Sequence, residues 1–326
     1  MAPVEGLFGK YKAILAPMAG VTDVAFRSLC REQGADLAYT EMVSAKGLSY
    51  ANDKTRHLVD LGEGENEVAV QLFGHEPQVV ADMAAWVEQE LGSKLVLIDI
   101  NMGCPARKIV SKGDGSALMK DVRLASDIVS VCKRSVEHPV TCKFRRGWSD
   151  DAGETAPQFA RAMADSGADA VTVHGRFSTQ MYRGDADWGT IARVKQAVSV
   201  PVVGNGDVTC GDDAVRMAAQ TGCDAVMVAR GAEGNPWVFA DVRAALEGRD
   251  APEPPSPAER LGLAKRHVAM LAGANGGRVA PMRKHAAWYV HGLPGAAAAR
   301  GRFNECCTVG DFDEVFDQLL EVCNAA

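Results

Sequence analysis

The chain has 326 residues, of which 47% are hydrophobic and 24% charged, and its formal net charge is −7. This composition is typical of a folded globular protein and excludes the fibrous and disordered classes. The acidic balance excludes indiscriminate binding of nucleic acid, because non-specific affinity comes mostly from Lys and Arg side chains that neutralise phosphates.

Short apolar or β-branched runs recur through residue 230, and each is followed by a longer segment of helical period. Most of these runs are apolar almost throughout, as parallel strands covered on both faces are. Amphipathic stretches such as Pro77 to Leu91 and Asp213 to Thr221 lie between them. The pattern predicts an α/β fold, a (β/α)8 TIM barrel with an outer ring of helices. The predicted strands are Ala13 to Ala16, Leu37 to Thr40, Val68 to Phe73, Leu95 to Ile100, Val140 to Phe144, Ala170 to His174, Val200 to Gly204 and Ala225 to Ala229.

An open, doubly wound sheet is the alternative arrangement for alternating strands and helices. Such a sheet usually carries a glycine fingerprint after its first strand, whereas here that strand runs into Pro17-Met18-Ala19-Gly20. The barrel is therefore the preferred prediction.

A second region follows a proline-rich segment near residue 250. Residues 249–257 carry four prolines and no apolar periodicity, which indicates a stiff linker between a barrel domain over residues 1–248 and a small all-helical domain over residues 258–326. Residues 258 to 302 include eight Lys and Arg residues and only one acidic residue, Glu259. Positive charge is therefore concentrated in this part of the chain, which is predicted to form a surface that contacts phosphate groups.

The nine cysteines include no C-x-x-C pair and no secretory spacing. No apolar stretch near the start resembles a signal peptide or a membrane span. We therefore expect a cytoplasmic protein with no membrane partner. No cysteine spacing suits a metal, so no metal site is expected.

Polar residues stand at the carboxyl ends of the predicted strands, which in a barrel of this kind surround the active-site mouth. Taken singly, each is more often an ordinary loop side chain. Together, a lysine and a histidine on neighbouring strands suit the edge of a flavin ring, where positive charge stabilises the reduced form. The turns after strands seven and eight suit a phosphate. These positions hold Pro17, Met18, Glu41, Gln71, Asn101, Cys104, Lys143, Arg145, His174, Arg176, Asn205, Asp207 and Arg230.

Cys104 follows the fourth strand on a Gly-Cys-Pro loop. Most cysteines of cytosolic proteins are small buried hydrophobic residues. A loop at the mouth, however, lets a thiol project into a pocket, and a thiol with an ordinary pKa of about 8.5 is mostly protonated at neutral pH. The polar stretch from Lys108 to Ser116 that follows is either a surface loop or a mobile lid.

Several motifs together resemble the tRNA-dihydrouridine synthases, and most of all their bacterial B-type branch. The similarity covers nearly the whole chain. The motifs are Ala16-Pro17-Met18-Ala19-Gly20-Val21-Thr22-Asp23, Asp99-Ile100-Asn101-Met102-Gly103-Cys104-Pro105, Gly115-Ser116-Ala117-Leu118, Lys143, His174-Gly175-Arg176, Tyr182-x-Gly184, Asn205-Gly206-Asp207, Asn235-Pro236-Trp237 and Arg283-Lys284-His285-x-x-Trp288-Tyr289.

The resemblance implies an FMN-dependent enzyme that uses NADPH to reduce specific uridines of tRNA, in the D-loop, to 5,6-dihydrouridine. It assigns Cys104 as the proton donor. The chain departs from the family pattern at Ala229, where many relatives have glycine, and at Asp114, within a run of small residues. The implied FMN-binding residues are Pro17, Met18, Ala19, Gln71, Lys143, His174, Asn205, Gly206, Asp207, Ala229 and Arg230.

A uridine inside folded tRNA must be extruded to reach a barrel mouth. The residues predicted to contact the uridine or the tRNA are Asn101, Arg176, Lys284 and Arg300, and a monomer is expected. Two other hypotheses stay open at this point. One is an FMN-dependent oxidoreductase of a small pyrimidine or enone, and the other is an RNA-binding regulatory module with an inert barrel.

Overall fold

The structure is a computed structural model that describes residues 4–325. Eight parallel strands follow one another in chain order around a closed barrel, and the eighth pairs with the first. The predicted (β/α)8 fold is therefore confirmed. The strands are β1 (Ala13–Leu15), β2 (Leu37–Ser44), β3 (Val68–Phe73), β4 (Leu95–Met102), β5 (Val140–Gly147), β6 (Ala170–Phe177), β7 (Val202–Asn205) and β8 (Ala225–Val228).

The strand bounds differ from the predicted ones mainly at the mouth of the barrel. Strands β5 and β6 each run three residues beyond their last predicted position, through charged and polar residues that an apolar pattern does not include. Strand β7 begins two residues later than predicted. It starts directly after Pro201, which has no N–H group to donate to a neighbouring strand.

Helices surround the strands and separate them along the chain. Short 3-10 turns add to them, among them one at Gly115–Lys120 and one at Arg230–Ala232. Within residues 4–325, every helix is too short or too polar to cross a membrane. The helices are α1 (Val4–Lys10), α2 (Val24–Glu32), α3 (Ala45–Ser49), α4 (Asp53–Arg56), α5 (Pro77–Leu91), α6 (Arg107–Val110), α7 (Val122–Ser135), α8 (Ala156–Asp165), α9 (Trp188–Ala197), α10 (Gly211–Thr221), α11 (Val238–Leu246), α12 (Pro257–Ala274), α13 (Met282–Tyr289), α14 (Ala296–Phe303) and α15 (Val309–Ala325).

The main core fills the layer between strands and helices. Residues such as Val70, Ile98 and Phe144 are fully buried there, and each such side chain contributes about 1.5–3 kcal/mol. A smaller cluster inside the barrel closes the end opposite the mouth, where Phe8 and Tyr11 pack against the starts of the strands. Among the described residues, the end of the barrel opposite the mouth is filled by side chains.

Helices α12 to α15 form a separate apolar cluster around three phenylalanines, Phe303, Phe312 and Phe316. Ser256 begins α12 with a capping box, in which its hydroxyl accepts from the Glu259 N–H. The cluster also includes Ala25 and Leu29 of α2. Because α2 starts at the barrel mouth, this contact holds the carboxyl-terminal helices beside the mouth.

A buried ion pair fixes the other face of α2. The Arg27 guanidinium donates two hydrogen bonds to the Glu65 carboxylate, over 2.8 and 2.9 Å, and both side chains are almost fully buried. Its remaining N–H groups donate to the carbonyls of Thr22 and Asp60. The pair joins α2 to the segment before β3.

Candidate active site at the barrel mouth

A cavity of about 680 Å³ opens at the carboxyl ends of the strands. Its size is in the ordinary range for cofactor sites, which is about 300–1,000 Å³. The cavity brings together Cys104 and all eleven residues predicted to bind FMN, and Asn101 and Arg176 line it as well. Lys284 and Arg300 do not line it.

The loop that carries Cys104 is held by hydrogen bonds from both sides. Asn101 Oδ1 accepts from the N–H groups of Gly103 and Cys104, over 3.2 and 2.9 Å. The Ser116 N–H donates to the Cys104 carbonyl over 3.0 Å. Gly115 has a φ of +61°, and a Cβ there would lie 2.7 Å from the same carbonyl oxygen. Only glycine fits this close approach, so the segment after α6 packs directly on the cysteine.

The Cys104 thiol is half-buried. Burial raises the pKa of the thiol above its ordinary value, and the charges of Arg145, Lys108 and Lys143 oppose that effect. The side chain therefore remains a protonated thiol at neutral pH, as an acid must.

Three predicted cofactor residues form a polar group across β5, β6 and β7. Lys143 Nζ donates to Asn205 Oδ1 over 2.9 Å, and Asn205 Nδ2 donates to the Met227 carbonyl. Burial and the charge of Arg145 lower the pKa of Lys143 to about 8. Burial, helped by the neighbouring cations, holds the pKa of His174 well below its usual range, so its imidazole is neutral.

Two glycines let the backbone after β7 and β8 approach its neighbours closely. Gly206 has a φ of +120°, and a Cβ there would lie 2.7 Å from Ala186. A Cβ on Gly231 would lie 2.3 Å from the Val208 carbonyl oxygen. The exposed Arg230 follows β8 between these turns. This cradle of glycines beside a guanidinium suits a phosphate group.

Arg176 points into the protein. It is 2% exposed, and one amino group donates to Asp207 over 2.8 Å and also to the Gly184 carbonyl. In this arrangement the guanidinium supports the loop after β6. Direct contact of Arg176 with a uridine stays a prediction.

Several residues of the cavity wall have no specific role in the sequence prediction, although it places Arg145 at the mouth. Arg145 lies two residues after Lys143 on β5, and its guanidinium donates to the carbonyls of Gly103, Phe177 and Met181. Period-two spacing along the strand was the available signal. The guanidinium also lies 5.8 Å from the ring centre of Tyr182, a half-exposed aromatic side chain at the rim. Met42, Met181 and Glu233 complete this set.

Lys284 and Arg300 lie on the carboxyl-terminal helices. Lys284 Nζ donates to the Gly20 carbonyl, on the loop after β1 that carries Pro17 and Met18. Arg300 is exposed on α14, without an ion pair among the described residues. Arg283 and Arg302 are engaged elsewhere, since Arg283 donates to the Cys306 carbonyl and Arg302 pairs with Glu314.

Among the described residues, one group of three side chains could offer ligands to a metal: Asp23, His267 and His285. The group lies between α2 and helices α12 and α13, outside the cavity. Burial, together with the charge of Lys284, lowers the pKa of His267 to about 3. Because this ammonium opposes a second cation nearby, we assign no metal to the group.

The family model described as dihydrouridine synthase (Dus) matches residues 14–324 of the chain. A protein of Rickettsia conorii named probable tRNA-dihydrouridine synthase is 40% identical over 294 residues, which cover 89% of this chain and 88% of the relative. A protein of Pseudomonas aeruginosa named tRNA-dihydrouridine synthase B is 40% identical over 314 residues and covers 92% of each chain.

The fold is also similar to a solved structure of histamine dehydrogenase from Rhizobium sp. 4-9. The TM-score is 0.52 at 16% identity, and the match covers 79% of this chain and 49% of the other. At that level of identity the likeness concerns the barrel fold alone.

Proposed function

Because the chain belongs to the dihydrouridine synthase family, it is an oxidoreductase, and we propose that it reduces uridines of tRNA to 5,6-dihydrouridine with FMN as cofactor and NADPH as reductant. The observation that carries the proposal is the meeting of a protonated thiol, Cys104, with Gln71, Lys143 and His174 in one cavity. Saturation of a carbon–carbon double bond requires a hydride donor and a proton donor, and the cavity is suited to hold a flavin for the first beside Cys104 for the second.

The charges of the cavity wall fit an anionic cofactor. Four cations, Lys143, Arg145, Arg176 and Arg230, face two carboxylates, Asp207 and Glu233. A phosphate is suited to the glycine cradle after β7 and β8, and the ring to the group around Lys143. When bound, the flavin supplies the hydride for C6 of the uridine. Lys143 then holds positive charge beside the ring, where it stabilises the reduced, anionic form.

Cys104 Sγ holds the proton that C5 of the uridine requires. The raised pKa keeps the proton on the sulfur at neutral pH, and the hydrogen bonds of Asn101 and Ser116 fix the loop that carries it. Hydride addition to C6 places negative charge on C5 and on the oxygen of the conjugated C4 carbonyl. The Nδ2 group of Asn101, at the cavity wall, is the donor suited to that oxygen.

The substrate must reach this mouth from a large folded RNA. Extrusion of the target nucleotide would bring the base to the cavity, while cations outside it hold the backbone. We assign this role to Lys284, which contacts the Gly20 carbonyl at the mouth, and to the exposed Arg300 of α14. Both belong to a tRNA-binding domain over residues 258–326, which the segment 249–257 joins to the catalytic barrel of residues 1–248. The enzyme would act as a monomer.

The test is formation of dihydrouridine by the purified full-length chain. Unmodified tRNA is incubated with the protein and with NADPH or NADH, and dihydrouridine is measured by mass spectrometry of the nucleosides. We expect a yellow protein that modifies tRNA faster with NADPH. Reduction of free uracil without reduction of tRNA would instead support an oxidoreductase of small pyrimidines. A colourless protein that FMN cannot reconstitute would contradict both.

A further inference from the structure

A carboxylate without a role in the reaction described above lies directly beneath the cavity. Asp99 is on β4, and its side chain has no exposed surface. Its Oδ2 accepts from Gln71 Nε2 over 2.6 Å, and its Oδ1 accepts from the Thr141 hydroxyl over 2.6 Å. Burial raises the pKa of Asp99 to about 6. The carboxylate is therefore ionised at pH 8.

Asp99 is the first member of a chain of hydrogen bonds that ends at Cys104. Gln71 Oε1 accepts from Asn101 Nδ2 over 2.7 Å. Asn101 Oδ1 in turn accepts from the backbone N–H groups of Gly103 and Cys104. The order is thus carboxylate, Gln71 amide, Asn101 amide, catalytic loop, and we call it the Asp99 relay.

The two ends of the Asp99 relay fix its direction. An ionised carboxylate can only accept hydrogen bonds, and a backbone N–H can only donate. Each amide between them must therefore turn its nitrogen toward Asp99 and its oxygen toward Cys104. Reversal of either Gln71 or Asn101 would place two donors or two acceptors opposite each other.

The direction decides what the two amides offer to the cavity. Asn101 Oδ1 accepts two hydrogen bonds within the relay and Gln71 Oε1 accepts one, and each side chain keeps its second N–H for a further partner. In the described part of the chain, that of Gln71 has no partner, and that of Asn101 has a weak one, the Met42 thioether at 3.9 Å. The cavity wall therefore presents hydrogen-bond donors at both positions.

From this arrangement we infer that Asp99 is a positioning residue that sets the donor polarity of Gln71 and Asn101 and anchors the loop of Cys104. The inference rests on the proposed function, because oxygens of a reduced flavin and of a uridine carbonyl are acceptors that such donors match. Asp99 itself touches neither ligand. It acts through the two amides.

The test replaces Asp99 by the isosteric Asn, which offers a donor as well as an acceptor and so no longer dictates the direction. Hydrogen exchange of the Gly103 and Cys104 amides is followed by mass spectrometry on the purified chain at pH 8. In Asp99→Asn we expect exchange about fivefold faster, the equivalent of one ordinary hydrogen bond. We also expect a lower midpoint potential of the bound flavin and a lower kcat at unchanged KM for tRNA.

The matched control is Thr141→Val, which removes the other hydrogen bond to the same carboxylate and leaves the relay intact. Its exchange at Gly103 and Cys104 should equal that of the wild type. Unchanged exchange in Asp99→Asn, or equal acceleration in both variants, would overturn the inference. Failure of the proposed function would look different, because a wild type that makes no dihydrouridine can still show protected amides.

Discussion

Replacement of Cys104 by alanine tests the proton donor directly. Deletion of a half-buried thiol should cost about 1 kcal/mol of folding free energy, so the barrel should remain intact. General acid catalysis contributes about 10²–10⁴-fold to a rate. Because no other thiol lines the described cavity, we expect dihydrouridine formation to fall by about that factor.

The two half-reactions separate this effect from damage to the cofactor site. Anaerobic bleaching of the flavin by NADPH should be as fast in Cys104→Ala as in the wild type, since the thiol enters only with the uridine. Single-turnover formation of dihydrouridine, measured by mass spectrometry, should be slow. Cys323→Ala, which changes a half-buried thiol on α15 far from the cavity, is the matched control and should be unaffected.

The pH dependence of the rate shows whether the thiol acts in its protonated form. Burial raises the pKa of Cys104, so its active, protonated form is present at neutral and mildly alkaline pH and is lost as the pH rises through the raised value. The wild-type rate should therefore fall at alkaline pH in two steps, first as Lys143 loses its proton near pH 8 and then as the thiol ionises. The residual rate of Cys104→Ala should lack the second step. A normal single-turnover rate in Cys104→Ala would refute the acid role.

Three further changes test the cofactor cradle, the RNA surface and the scaffold. Gly231→Ala places a methyl group 2.3 Å from a backbone carbonyl oxygen and should weaken FMN binding about tenfold or more. The control is Gly262→Ala, which adds a methyl group in open space on α12 and should leave FMN binding unchanged. Fluorescence titration with FMN measures both. Arg300→Ala should weaken tRNA binding and make it less dependent on salt, with flavin content unchanged, and an unaltered salt slope would place the RNA surface elsewhere. Arg27→Met should lower the free energy of unfolding in urea by about 3–5 kcal/mol, because the Glu65 carboxylate is left buried without its partner. In the double variant, the addition of Glu65→Leu should recover much of that loss.

The barrel could be predicted because its strands are buried on both faces. The run from Val68 to Phe73 is apolar except at Gln71, and its predicted bounds match those of β3. Strand β5 continues through Arg145 into the cavity wall. There its apolar residues end before its hydrogen bonds to the neighbouring strands do. The errors in strand bounds are therefore largest at the functional end.

The gathering of the site residues could be predicted for a related reason. A closed parallel barrel directs the carboxyl ends of all its strands to one mouth, so Gln71, Lys143 and His174 meet although the chain separates them. No such rule predicts the positions of Lys284 and Arg300. They depend on how α12 to α15 pack on α2, which no local pattern specifies.

The partners of the buried charges lay beyond sequence reasoning as well. Arg176 is predicted to contact the substrate, but nothing in the local sequence indicates that its guanidinium also pairs with Asp207, which is distant in the chain. Asp99 heads the motif that ends with Cys104 and Pro105, but an acidic residue within an apolar strand gives no sign of the amide that it will meet. Pairings of this kind follow from the register of strands around the barrel, which only the closed structure defines.

The charge of the site also depends on how the fold brings side chains together. The chain as a whole carries −7, yet the cavity wall holds four cations against two carboxylates. Asp207 pairs with Arg176 over 2.8 Å and with Arg230 over 3.4 Å. The positive charge that remains for an anionic ligand therefore comes mainly from Lys143 and Arg145, with a part of that of Arg230. Because charges in a cavity are screened less than charges at the surface, these cations act strongly on an anion bound there, whatever the sign of the net charge of the chain. The sign of the field that a flavin or a nucleotide would meet is thus a property of the fold, and composition alone gives the opposite one.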